Sequence, residues 1–236
     1  MRSTWLLCWI TMFLLSLCLS SPAEGQSREL DRAETAREVL DKVINMPENR
    51  IPFSLLERAQ AVAVIPGVVK AGFVFGGQGG RGLLSVRQDD GSWSLPVYLT
   101  FGGGSVGFQA GVQSTDVVLV FTSRRSVNTI LDGTFTLGAD AAVAAGPVGR
   151  QTSAATDHRL DAEIYSYSRS RGLFAGISLD GSVLNVDHRA NERVYGSNAS
   201  ARRVFAGEVG ERPRQIIDFT DMLEELSAID WRQQSN

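Results

Sequence analysis

The sequence predicts an α+β fold: a glycine-bent antiparallel β-sheet core, sandwich- or barrel-like, with N-terminal helices and a C-terminal amphipathic helix. Three observations predict it. The middle of the chain is a series of short β-prone runs separated by glycines, and 24 of the 236 residues are glycine. Helical spacing of apolar residues is concentrated toward the two ends. Strand and helix textures do not alternate regularly, which sets aside the α/β classes. With 43% hydrophobic and 21% charged residues, the chain can bury a core of its own.

Residues 28 to 45 read as a helix, with Leu30, Ala33, Leu40, Val43 and Ile44 near helical spacing and charges between them. Pro47 ends it. A short helix follows Pro52. Ala61 to Ile65 is an apolar run stopped by Pro66-Gly67, as in a buried strand. Further strands are expected at Gly72–Phe75, Leu83–Arg87, Val97–Phe101, Val106–Val112 and Val117–Phe121, with Asp89-Asp90-Gly91 as a turn. Arg124 to Leu131 reads as a helix closed by Asp132-Gly133. Residues 151 to 162 read as a polar loop. Strand texture returns at Glu163–Ser168 and Leu173–Val186, helical texture resumes after His188, and a last helix spans Arg214 to Trp231. Glycines inside strands mark bends, bulges or close backbone approach.

The N-terminus has the three parts of an export signal: Arg2 in a short charged start, the apolar run Trp5–Leu19, and a small-residue exit from Ser20 to Gly25. The run is shorter than the roughly 20 residues that span a bilayer. The expected organisation is a signal peptide over 1–25, a helical segment over 26–52, a core domain over 53–196 and a helical extension over 197–236. Both cysteines, Cys8 and Cys18, lie in the signal, so no thiol chemistry is expected after cleavage. The protein is expected to be exported and periplasmic. Secretion, or an outer-membrane lipoprotein anchored through Cys18, are the other readings. Leu17 is larger than the residue a lipoprotein signal places before its cysteine.

The net charge of −3 argues against nucleic-acid binding by bulk electrostatics. Of the 23 basic residues only Lys42 and Lys70 are lysine. Two segments spell the dinucleotide fingerprint, Gly77/Gly79/Gly82 and Gly102/Gly104/Gly107, but both run into β-prone sequence where the fingerprint needs a helix N-terminus. Gly103-Gly104-Ser105-Val106-Gly107 spells a nucleophile elbow, with Asp132, Asp140, His158 and His188 downstream. A hydrolase using Ser105 is the enzymatic reading, and it too needs a helix after the strand. The two histidines, His158 and His188, have no ligand-spaced partner, so no metal and no cofactor is expected.

What remains is a surface. Tyr165, Tyr167, Arg169 and Arg171 alternate along one strand, and arginines beside aromatics engage lipid phosphates at an interface. Packing the tyrosines inward is the competing reading. By residue chemistry the candidate lipid contacts are Lys70, Trp93, Arg150, Tyr167, Arg169 and Arg171.

Several phrases in order resemble the SYLF domain family. They include Gly91-Ser92-Trp93-Ser94-Leu95-Pro96, Gly107-Phe108-Gln109-Ala110-Gly111, Ser114-Thr115-Asp116-Val117-Val118-Leu119, and Tyr165-Ser166-Tyr167-Ser168-Arg169-Ser170-Arg171-Gly172. Thr136-Leu137-Gly138-Ala139-Asp140, Ala144 to Arg150, Asp180-Gly181-Ser182 and Tyr195-Gly196 fall between and after them. The resemblance covers about residues 53 to 196. It implies a non-enzymatic lipid-binding domain, of the kind that binds phosphoinositides and in some relatives actin. The stand-alone form with an export signal is similar to bacterial members. Lipid or membrane surface is therefore the expected partner, with an envelope protein docking on the C-terminal helix as the second reading. Actin is not expected for an exported protein. The relatives' basic N-terminal segment has no counterpart here, because this chain's first helix holds more acids than bases.

Overall fold

The computed structural model describes residues 22–45, 51–72, 75–106, 111–146, 162–171 and 179–228. The first element is the helix α1, Pro22–Asn45, longer at its start than the spacing predicts. Ala33, Ala36, Leu40 and Val43 recur on one face at helical spacing and are fully or almost fully buried. The short helix α2, Phe53–Arg58, follows. Four long strands come next: β1 Ala61–Gly72, β2 Phe75–Val86, β3 Val97–Val106 and β4 Gly111–Phe121. After α3, Arg124–Asp132, come the short strands β5 Phe135–Thr136 and β6 Val143–Ala145. They are followed by β7 Ile164–Arg171 and β8 Val183–Val186. The helices α4 His188–Tyr195, α5 Ala201–Phe205 and α6 Arg214–Ala228 close the described chain.

Among the described residues the eight strands form one sheet in the order β5-β8-β3-β2-β1-β4-β7-β6. The α+β expectation holds, with one refinement. The sheet is mixed, because β6 joins β7 in parallel, Val143 opposite Ile164, while the other pairs are antiparallel. The run of valines and leucines from Val117 to Phe121 is buried on both faces, as a central strand requires.

Pro66-Gly67 does not stop β1. The strand carries a bulge there: pairing with β4 shifts by one between Ile65 and Val68, and pairing with β2 shifts between Val64 and Val69. Gly67 has φ +56°, a conformation glycine adopts freely, and its N–H donates to Asp116 Oδ1 at 2.9 Å. β2 and β3 are likewise longer than their apolar runs, because the glycines extend the strands rather than end them. The expected strand Val106–Val112, the polar loop at 151–162, the start of the Leu173 run and the end of the last helix fall wholly or partly outside the described residues. So do the export signal, Cys8, Cys18, His158 and Arg150.

The helices pack onto the same core rather than standing apart. Ala33 to Ile44 of α1 and Ile216, Phe219 and Leu223 of α6 belong to one apolar cluster with the strands. The phenol of Tyr98 on β3 donates to the Glu29 carbonyl of α1 at 2.8 Å, so α1 lies over the sheet face that carries Tyr98. On the other face the rings of Phe121 and Phe135 meet at 6.4 Å. No described helix is long and apolar enough to cross a membrane.

Candidate functional site

The five candidate residues that the structure describes lie in different surroundings. Trp93 pairs with Arg87 just beyond β2, at the sheet end nearest the helices, and is only 5% exposed. Its indole N–H donates to Ser227 Oγ at 2.8 Å, its backbone N–H donates to Glu224 Oε1, and the Arg87 guanidinium sits 4.6 Å from the ring centre. It is a buried anchor for α6 and not a surface aromatic. Tyr167 is 4% exposed, and a Cβ on Gly146 would fall within 2.1 Å of its ring. Burial lifts its phenol pKa well above the ordinary value, with the Tyr165 phenol adding to the rise. The tyrosines of β7 therefore pack inward.

Lys70, Arg169 and Arg171 do gather at one end of the sheet, opposite the Trp93 end. They do not share a face. Lys70 stands opposite Gln78 of β2 and Gln113 of β4. Arg169 stands opposite Asp116, whose alternation puts it on the face of Tyr167, Tyr98 and α1, and Arg171 is paired in register with Ser114. Arg169 is half-buried; Asp116, its cross-strand neighbour, is 4% exposed.

The α1 face divides into two halves. Beneath α1 it carries Val62, Val64, Leu83, Tyr98, Val118 and Val120, all buried. Past the reach of α1 the same face carries four glycines in two opposed pairs, Gly77 with Gly104 and Gly79 with Gly102. Val69 stands opposite Gly79, and Ala71 stands opposite both Gly77 and Val112. Val69 is 46% exposed and Val112 is 78% exposed, two of the three large apolar side chains exposed among the described residues. Sequence reasoning saw these glycines as bends and did not single out Val69 or Val112. Which face an isolated valine occupies depends on the bulge at Ile65–Val68, and that bulge is set by tertiary pairing.

Between the two halves lies a cluster of arginines. Arg81 stands opposite Thr100, one step along β2 from Gly79. Arg32 of α1 binds Glu29 Oε2, and Arg193 of α4 donates to Glu29 Oε1 at 2.7 Å. The Glu29 side chain is 3% exposed, so one buried carboxylate serves two guanidiniums. Burial lowers the Arg32 pKa, and repulsion from Arg81 lowers it further. Asp187 also faces Arg32, but its Oδ1 already accepts from Ala190 N–H at the start of α4. Arg193 Nε is buried with no acceptor among the described residues.

Among the described residues the enzymatic motifs do not acquire their geometry. Ser105 is paired with Gly76 inside β3, and the next described element is the strand β4 from Gly111, where the elbow requires a helix. Asp132 pairs with Arg202 at 2.6 Å, and Asp140 accepts from Thr136 N–H. Gly77, Gly79 and Gly82 all lie within β2. No group of three potential metal ligands occurs among the described residues.

Comparison with known proteins agrees with the resemblance. The family model described as "Ysc84: Las17-binding protein actin regulator" matches residues 102–226, from the glycine end of β3 into α6. LAS seventeen-binding protein 3 of Saccharomyces cerevisiae is 36% identical over 185 residues, 77% of this chain and 40% of that protein. An SH3 domain-containing protein of Schizosaccharomyces pombe is 42% identical over 164 residues, 68% of this chain and 38% of its own. SH3 domain-containing YSC84-like protein 1 of Homo sapiens is 34% identical over 184 residues, 78% of this chain and 53% of that protein. The chain therefore spans between 38% and 53% of the length of these relatives. With more than half of its residues matched by the family model and over two thirds aligned to relatives above 30% identity, the chain belongs to the Ysc84 family, the family of the SYLF domain.

Proposed function

We propose that this protein is a non-enzymatic, exported domain that binds a phospholipid surface peripherally. The observation that carries the reading is the half of the α1 face that no described helix covers. There Val69, Ala71 and Val112 are exposed together, at the sheet end that also bears Lys70, Arg169 and Arg171. Exposed apolar side chains at a sheet end that also bears cations suit an anionic bilayer, where the valines enter the interface and the cations meet phosphate. Trp93 and Tyr167 drop out of the contact set because both are buried. Arg150 stays in it on residue chemistry alone.

Co-sedimentation of the signal-free chain with phosphatidylglycerol or cardiolipin vesicles, against phosphatidylcholine, tests the reading at low and high salt. Binding to the anionic vesicles that salt weakens is the expected result, because exposed charges are screened. Absence of binding to every vesicle overturns it. The V112D variant is expected to lose binding while keeping its melting temperature, since Val112 is largely exposed.

A protein partner is the second reading. The family description names binding of Las17 and regulation of actin, and α6 offers a surface for such a contact. Ile217 is 39% exposed there, beside Asp218 and Asp221. An I217D variant that loses a captured envelope protein while keeping vesicle binding would favour this reading.

A further inference from the structure

The glycines of β2 and β3 fall into two sets. Those on the face away from α1 are forced by packing. A Cβ on Gly82 would lie 2.2 Å from the Val64 carbonyl oxygen, and one on Gly80 would lie 3.0 Å from Ile65 and Val68. On Gly103 it would meet Ser182 Oγ at 2.8 Å. Those on the α1 face are not forced. Among the described residues, a Cβ on Gly77, Gly79 or Gly102 would meet only backbone oxygens at 3.7–3.9 Å, and one on Gly104 would have nothing within 4 Å. None of the four has a positive φ. Neither packing nor backbone geometry requires glycine at these positions.

Together they leave a bare strip of backbone, with its four Cα atoms spread over about 5 Å by 7 Å. Val69 and Ala71 border it on the β1 side and Val183 on the β8 side. At its inner end stands Arg81, exposed and without an ion pair among the described residues. Behind Arg81 is Arg32, whose carboxylate partner Glu29 is shared with Arg193. The strip is thus apolar along its length and positive at its inner end, and no described residue closes it toward the sheet end.

We propose that this strip is a seat for a single phosphate-bearing amphiphile. Its phosphate meets Arg81 and Arg32, and its acyl chain lies over Gly79, Gly102, Gly77 and Gly104 toward the open end. The charge at the inner end selects the occupant: Arg81 has no ion pair among the described residues, and Arg32, which Asp187 also faces, shares Glu29 with Arg193, so an oxyanion adds the acceptor that Arg81 lacks. The absence of side chains lets an extended chain lie against the sheet at van der Waals distance. The inference rests on the proposed lipid binding and deepens it: the bilayer-facing end would also hold one lipid molecule along the sheet.

The test uses the signal-free chain and dihexanoyl phosphatidylglycerol below its micelle concentration, with glycerol 3-phosphate as the tail-free phosphate, measured by calorimetry. The short-chain lipid is expected to bind at least about tenfold more tightly than glycerol 3-phosphate, since two buried methylenes already supply that factor. G79L, which fills the strip, should remove this advantage while leaving glycerol 3-phosphate binding intact. R81Q should weaken both ligands. G104L is the second filler should G79L lower the melting temperature. Equal affinity for the two ligands, or an undiminished advantage in a folded filler variant, overturns the seat. Vesicle co-sedimentation of the same proteins separates the two claims. Wild-type chain that binds anionic vesicles but no monomeric lipid sinks the seat and leaves the membrane reading standing. Monomeric lipid bound without vesicle binding does the reverse.

Discussion

Gly82 and Gly79 sit three residues apart on β2 and face opposite sides of the sheet. On Gly82's side the bulge at Ile65–Val68 drives the β1 backbone inward, to within 2.2 Å of where a Cβ would be. On Gly79's side there is room for one. The same residue type thus answers two demands in one strand: close backbone packing on the inner face, and a surface without side chains on the outer one. Glycine count alone could not separate them, and the separation is what turns a curved sheet into a sheet with a bare, accessible half.

G82A breaks the comparison on its packed side and carries the largest expected effect. Overpacking against a backbone oxygen that a ladder holds in place should cost about 3 kcal/mol or more. That lowers the melting temperature by roughly 6–12 °C, read by thermal or urea unfolding. An effect below about 1 kcal/mol would mean the bulge is free to relax.

The boundary between the covered and bare halves of the α1 face is held by Glu29. E29Q removes the one buried charge that balances Arg32 and Arg193, and should cost about 2 kcal/mol by urea unfolding. Both arginines are partly exposed, at 21% and 33%, which keeps the cost below that of a sealed pair. S227A, at the far end of the molecule, removes the acceptor of the Trp93 indole N–H and of Arg87 Nη2. It should cost about 1–2 kcal/mol by the same measurement, the penalty for stranding a buried donor.

The covered half also predicts a response to alkali. Burial raises the pKa of Tyr98, Tyr167 and Tyr195 above the ordinary phenol value of about 10. In the unfolded chain these phenols ionise near pH 10, while in the folded chain they hold their protons. Above pH 10 the folded state binds more protons, so stability falls as pH rises, and it is fully present below that value. Urea midpoints should be level up to about pH 9.5 and then decline. Y98F should flatten part of that decline and, by losing the bond to Glu29, lower the plateau. A decline unchanged in Y98F would mean Tyr98 is not among the groups that cause it.

These contrasts also mark what the sequence made legible. Alternating or continuous apolar runs announced the strands at Ala61–Ile65, Val97–Phe101 and Val117–Phe121, helical spacing announced α1 and α6, and the Asp132-Gly133 stop marked the end of α3. The glycine stretches of β2 and β3 were not legible as strands, because periodicity is carried by side chains and glycine has none. The continuation of β1 through Pro66-Gly67 was hidden for another reason. A bulge satisfied by Asp116, 49 residues away, is spelled locally like a turn. Trp93, flanked by serines beside a turn, reads as a surface aromatic. Its partners Glu224 and Ser227 lie more than 130 residues downstream, so only the folded chain shows it buried. The family was legible because its phrases are short and ordered. The bare half of the α1 face was not, since it depends on which face each glycine and valine occupies after the bulge.

The smallest effect is the one that sharpens the comparison most. G79A adds to the outer face the same methyl group that G82A adds to the inner one. Its nearest described neighbour there is the Phe101 carbonyl oxygen at 3.7 Å, an ordinary contact. Alanine also restricts the unfolded chain more than glycine does, which favours the folded state by about 0.4–1 kcal/mol where the backbone conformation suits it. Gly79 lies in a regular antiparallel ladder, opposite Val69 and Gly102, so the conformation does suit it. G79A should therefore melt at the wild-type temperature or slightly above. A loss of more than about 1 kcal/mol would show that packing does demand glycine at this position. The outer glycines would then belong with Gly82, and the bare strip would need no ligand to explain it.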